Sequence, residues 1–254
     1  MSLETPRPRF ATTASAQGDG LAEGPMDLRI GVSAFAVALA AAGLWMLASA
    51  LLAPTPIAFP IDRQAATAAA GQRAGAQWAA WLGGVRGDLY ARAAFAGADA
   101  AYLDRAAAAD PAAAARIAQT RANALHAVSL APLDGGAWLL LAELPAEDKS
   151  EAGARQRAGA LLMSYFTAPQ DDRLAAARLE RAVGLSAAAS PDLMEFMKGD
   201  LRRLLADPAT RRSLTASLAP AYRAASPPSR EAFAAAAATV DPDFARALRG
   251  EPPK

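Results

Sequence analysis

The chain has no cysteine and only one histidine, His126, among its 254 residues. The first absence excludes disulfides, thiolate metal sites and thiol nucleophiles, and it suits either side of a bacterial inner membrane. The second excludes any metal site built from several histidines. Aromatic residues make up only 6%, and Val, Ile and Thr are scarce, so strand-favouring residues are few. Neither sign of charge is in excess: 26 Lys and Arg stand against 25 Asp and Glu. A chain so balanced has no general attraction to nucleic acid or to anionic membrane. A glycine-rich phosphate loop, a nucleophile elbow and a paired-carboxylate motif are also missing, so neither a cofactor nor catalysis is expected.

Alanine is what the chain has in quantity, at more than a quarter of all positions. As the best helix former, it points to an all-α fold. From Ile30 to Ala53 there are 24 residues without a charge. As a helix they reach about 36 Å, enough for a hydrocarbon core of roughly 30 Å. The ten strongly apolar residues of this run contribute about −0.5 kcal/mol each to insertion, and its glycines and serines take back roughly 3. Insertion is favourable by only about 2 kcal/mol. Ala48-Ser49-Ala50 resembles a signal-peptidase site, but the run is longer than a signal-peptide core and 29 residues precede it, so an uncleaved anchor is expected.

Arg29 adjoins the span, with Arg7 and Arg9 before it and Arg63 and Arg73 well beyond it. Positive charge beside a span stays inside. The expected location is the bacterial inner membrane, crossed once, with a cytoplasmic N-terminus and a periplasmic domain. Residues 1–28 read as a disordered tail, 29–53 as the anchor and 54–61 as a stiff proline-rich link. Residues 62–250 read as the helical domain and 251–254 as a C-terminal tail. Ala34, Ala38, Ala42 and Ala50 share one side of the span, a spacing that allows close approach of a second copy and hence a homo-oligomer.

Helix starts in the domain are legible. Asp110-Pro111, Ser190-Pro191, Asp207-Pro208, Ser226-Pro227 and Asp241-Pro242 each place a capping oxygen before a proline, which loses nothing at the first helical position. Asp148 with Glu151 has capping-box spacing for a helix to about Phe166, and Asp171 or Asp172 can cap the next. In 191–206, Leu193, Met194, Met197, Leu201, Leu204 and Leu205 fall on one face, with charged residues opposite. A helix this short is marginal alone and must pack on neighbours.

Ala131-Pro132-Leu133-Asp134 recurs 37 residues later as Ala168-Pro169-Gln170-Asp171, each time after one helix-like stretch and before another. Together with Ala124-Leu125, Leu130, Trp138, Leu141 and Ala142, over about 112–187, this order resembles a tetratricopeptide repeat. The resemblance implies helical hairpins, with Trp138 wedged between helices and Ala142 allowing close approach. It departs from the family pattern after the long 144–149 loop. The order of Arg86-Gly87-Asp88-Leu89, Trp138-Leu139-Leu140-Leu141-Ala142, Met163-Ser164-Tyr165-Phe166-Thr167-Ala168-Pro169 and Arg178-Leu179 is similar to small membrane-anchored proteins of bacterial exopolysaccharide systems. That second resemblance implies an assembly role in polysaccharide synthesis or export and no catalytic residue.

Candidate contact residues are few. Trp78 and Trp81, one helical turn apart, either join the core, as most such pairs do, or rest on a membrane interface or a partner. Lys198, Arg202, Arg203, Arg211 and Arg212 form the densest basic cluster and offer a contact for anionic lipid or acidic polysaccharide, although Glu195, Asp200 and Asp207 are interspersed. His126 reads as a packing or surface residue, and Asp88 of Arg86-Gly87-Asp88 as a cap. The expected function is a membrane-tethered interaction scaffold holding a protein partner of the envelope, with lipid contacted from Ile30 to Ala53. The alternatives are an envelope enzyme acting on polysaccharide and a structural subunit of an inner-membrane complex.

Overall fold

The computed structural model describes residues 26–53, 55–57, 59–103, 110–145 and 148–251. The tail expected at 1–28 lies outside the described residues up to position 25, as does the C-terminal tail from 252. Among the described residues there are twelve α-helices and no β-strand. The chain divides within its first helix into two units, Met1–Trp45 and Met46–Lys254.

The first helix, α1 (Met26–Leu52), starts three residues before the expected anchor, so 26–28 are helical rather than part of the tail. Its segment Leu28–Leu52 has a mean hydropathy of 2.1 and only 6% of its most apolar window is buried. It is therefore long and apolar enough to cross a membrane. Its apolar residues surround the axis instead of forming one stripe, the pattern of helices buried in a protein core or a membrane. The hydroxyl of Ser49 donates to the Met46 carbonyl at 2.8 Å, so this polar group brings no unsatisfied donor with it.

The second unit contains α2 (Arg63–Ala69), α3 (Arg73–Gly83), α4 (Gly87–Ala96), α5 (Pro111–Leu130), α6 (Gly135–Glu143) and α7 (Glu151–Thr167). It continues with α8 (Asp172–Leu185), α9 (Pro191–Leu205), α10 (Pro208–Ala224), α11 (Pro227–Val240) and α12 (Pro242–Arg249). All five expected Asp-Pro and Ser-Pro caps are formed, each side-chain oxygen accepting a first-turn N–H. Two expected caps are not. Ser150 rather than Asp148 caps α7, and Asp148 instead accepts from the Ser150 N–H at 2.8 Å. Asp88 lies inside α4, where its carboxylate pairs with Arg86 at 2.7 Å rather than capping. Asp171 caps α8.

The proline-rich stretch before α2 is docked on the domain: Phe59 is buried and stacks on Phe95 with ring centroids 4.9 Å apart. The main core runs from α2 to α12 around Leu139, Leu140, Leu161, Leu179, Leu193 and Phe233. The stripe expected on α9 is real, with Leu193, Met197, Leu201 and Leu205 buried and Met194 and Leu204 half-buried.

Helices α4 and α5 form one hairpin, α6 and α7 another, and the two share a seam. A Cβ on Gly87, first residue of α4, would lie 2.7 Å from the Ala131 Cβ and 3.0 Å from its backbone nitrogen. A Cβ on Gly135, first residue of α6, would lie 2.6 Å from the Ala168 Cβ and 3.2 Å from the Ser164 carbonyl. Ala131 and Ala168 are the two alanines of the repeated Ala-Pro-x-Asp turn, so the recurrence marks where a glycine lets one helix start touch one helix end. Gly87→Ala and Gly135→Ala should each lower stability by about 1–3 kcal/mol through overpacking, despite alanine's better helix propensity. Gly199→Ala, in open space on α9, should instead add about 0.5–1 kcal/mol. Thermal melts of the three variants decide; a stabilised Gly87→Ala would refute the close contact between the start of α4 and the end of α5.

Candidate functional site

Helix α3 has its sizes inverted. Its inner face is Ala76, Ala79 and Ala80, packed on Leu89, Ala93 and Ala96 of α4. Its outer face carries Trp78 and Trp81, 60% and 64% exposed, with Val85 just beyond the helix end at 81%. The two indoles meet edge to face at 5.6 Å. The common outcome for such a pair, burial in the core, is therefore not what occurs. Alanine on the inner face lets α3 and α4 approach closely, and close approach leaves no room for indoles between them. From Ala74 to Val85 there is no charge. Gln77 turns its amide oxygen inward, accepting from Asn123 Nδ2 at 2.8 Å. Arg73 and Arg86, which bracket the strip, are ion-paired to Asp99 and Asp88.

The basic cluster does not assemble into a free patch. Lys198 pairs with Glu195 at 2.7 Å, Arg203 with Asp200 at 2.6 Å and Asp172 at 3.0 Å, and Arg211 with Asp241. Arg202 and Arg212 are exposed. The fold spends three of the five charges on its own carboxylates. His126 is exposed and stacks on Tyr90 at 5.0 Å. Trp138 is half-buried, its indole N–H donating to the Pro132 carbonyl at 2.9 Å, and Ala142 is fully buried.

Two features were not anticipated. The first is a polar cavity of about 400 Å³ lined by Arg63, Tyr102, Glu143, Glu180 and Arg181. Burial pushes the Glu143 carboxyl up to about 7; Arg181 opposes the shift and Glu180 adds to it. Burial, with Glu143 and Glu180 nearby, likewise pushes Tyr102 up to about 12, and its hydroxyl donates to the Ile61 carbonyl. The cavity thus holds one carboxyl that exchanges protons near neutrality, beside a phenol already committed to the backbone. Glu143 closes α6 on an apolar run, so sequence alone showed an ordinary helix-end acid.

Because the folded-state value of Glu143 lies above its ordinary 4.5, the folded state holds a proton that the unfolded chain releases between these values. That contribution is complete below about pH 4.5 and lost as pH rises through about 7. Glu143→Gln should therefore raise the melting temperature near pH 8 by about 5 °C and change it little near pH 4.5. A melt showing equal effects at both pH values would contradict the burial of this carboxylate.

The second is Arg178 of α8, which is fully buried. Its Nε donates to Ser164 Oγ at 3.0 Å and its Nη2 to the carbonyls of Ser164 and Ala168, the latter at 2.9 Å. The guanidinium lies over the Tyr165 ring, 4.7 Å from its centre. Asp200 is buried close by, and loss of water raises its pKa against the pull of Arg203 and Arg178. Ser164 in turn donates to the Gly135 carbonyl at 2.7 Å. This knot ties the end of α7 to α6 and α8.

No known protein family, curated protein or solved structure matches the chain.

Proposed function

We propose that the chain is a membrane-tethered helical scaffold of the bacterial cell envelope. In this reading α1 crosses the inner membrane once, and the helical domain stands in the periplasm and holds a protein partner. The observation that carries it is the continuity of α1, apolar on all sides and exposed, with a helical domain. The Gly87–Ala131 and Gly135–Ala168 contacts close two successive hairpins in the same way, and the packing of α6 on α4 and α5 supports a tetratricopeptide-like stacking, which builds extended surfaces for peptides or proteins. Arg29 beside the span supports a cytoplasmic N-terminus.

The residues that carry the resemblance to exopolysaccharide-system proteins have packing roles: Gly87 fits against Ala131, Ser164 joins Gly135 to Arg178, and Leu139 and Leu140 fill the core. They favour an assembly role over chemistry in polysaccharide synthesis or export. In-cell cross-linking of the full-length protein, followed by purification in mild detergent, should recover a specific envelope protein. Replacing α1 by an unrelated span should retain that partner; its loss would favour a structural subunit whose anchor makes the contacts.

One observation favours a second reading. Glu143, titrating near neutrality in a cavity shared with Glu180, is the place where an acid for glycoside chemistry would sit. Loss of function in a folded Glu143→Gln protein would revive the reading as an envelope enzyme against the scaffold.

A further inference from the structure

The outer strip of α3 lacks a partner in the fold, and the end of α1 indicates what covers it. A Cβ on Gly75 of α3 would lie 3.7 Å from the backbone carbonyl of Leu52, the last residue of α1. Ala53 and Ile57, directly after α1, pack against the same small cluster as the inner face of α3. Trp78 and Trp81 are three and six residues beyond Gly75, so along the helix they are within about 5 and 9 Å of the point where α1 ends. The headgroup region on each side of a bilayer is about 5–8 Å thick. An α3 lying along the bilayer surface from that point keeps both indoles at interfacial depth when α1 spans, whereas one standing upright would carry Trp81 past it. Leu47, Leu51 and Leu52 are likewise exposed at the end of α1.

Size also selects the occupant. The exposed parts of two indoles and a valine amount to roughly 300–400 Å², whereas one side of a stable protein interface buries about 800 Å². A bilayer needs no such area, and tryptophan is enriched at its interface because the ring is apolar and the N–H stays wet. The strip also carries no charge to be desolvated.

We propose that Trp78, Trp81 and Val85 dock into the headgroup–acyl boundary of the membrane that α1 spans. The domain is then held by two attachments, a span and an interfacial helix, which fixes its tilt at the surface. Neutral lipid suffices, because the strip has no cationic side chain free to face a headgroup. This rests on the reading of α1 as a span, and Trp45 within α1 keeps the two separable.

The test uses full-length protein in phosphatidylcholine vesicles, with and without lipid brominated high on the acyl chain. Trp45→Phe with Trp138→Phe leaves only the pair, and Trp78→Phe, Trp81→Phe with Trp138→Phe leaves only Trp45. Should Trp138→Phe abolish the cooperative melt, Trp138 is kept throughout and its signal is subtracted using Trp45→Phe with Trp78→Phe and Trp81→Phe. The proposal expects brominated lipid to quench the pair at least twofold, and acrylamide to reach it several-fold less than free tryptophan. Quenching of Trp45 alone, with the pair open to acrylamide, overturns the docking and leaves the span standing. No lipid quenching of either overturns both. Protection of the pair that appears only at high protein-to-lipid ratio, without lipid quenching, assigns the strip to a second copy and also overturns the docking.

Discussion

Leu39→Arg should move the protein from the carbonate-resistant membrane pellet to the soluble fraction. Leu39 lies near the middle of the apolar segment Leu28–Leu52 and is exposed on α1. Arginine at the centre of a span costs about 2.5–3.5 kcal/mol, and removing leucine forfeits a further 0.5 or so. Against a net preference of only about 2 kcal/mol, that turns insertion from roughly thirty to one in favour to about ten to one against. A leucine-rich anchor would tolerate the same change; this alanine-rich one has no reserve. Leu39→Ile, which keeps the apolar surface, should fractionate as the parent does. Carbonate matters in the design, since it strips proteins held only by an interfacial contact such as the one proposed for the α3 strip. Retention of Leu39→Arg in the pellet would mean that α1 is not what holds the protein there.

Much of the fold was legible because its signals are local. A capping oxygen followed by proline needs no tertiary context, and the five such pairs mark the starts of α5, α9, α10, α11 and α12. The stripe on α9 was equally plain. Where the reading failed, a neighbour decided. Asp148 has the spacing for a capping box, but Ser150, two residues closer to the helix, offers its own oxygen first. Asp88 follows a glycine break as a cap would, yet Arg86 two residues away captures its carboxylate, and α4 starts at Gly87.

The candidate site was less legible, for a related reason. Lys198, Arg203 and Arg211 look like a basic patch in one dimension, but their partners include Asp172 and Asp241, which reach them only through packing. Trp78 and Trp81 have core spacing, and only the alanines that fill the α3–α4 contact force them outward. That inversion could have been read in advance from the alternation of Ala76, Ala79 and Ala80 with the two indoles, because tight helix contacts select small residues. Glu143 and Arg178 gave no local sign at all.

Arg178→Ala should be the most destabilising single change in the helical domain. Three donor–acceptor bonds end on this one guanidinium, two of them to carbonyls at the end of α7 that each also accept a backbone N–H, from Ala168 and from Asp171. Truncation takes the charged donor from those carbonyls and from the Ser164 hydroxyl, opens a cavity beside Tyr165, and leaves the buried Asp200 without one of its two stabilising cations. Breaking a buried, hydrogen-bonded charge network costs about 3–5 kcal/mol, which for a domain of this size is roughly 10 °C in melting temperature. Arg178→Lys should recover less than half of that, because an ammonium cannot reach Ser164 and Ala168 together as a planar fork does. Arg202→Ala, on the exposed face of α9, should shift the melt by less than about 2 °C. The contrast separates the two arginines by role: one holds the second Ala-Pro turn in place, much as Trp138 holds the first through the Pro132 carbonyl. Each turn of the repeat is thus pinned by a side chain from the helix that follows it, with a different residue type in each copy. A melt of Arg178→Ala within about 2 °C of the parent would show that the turn holds without its pin.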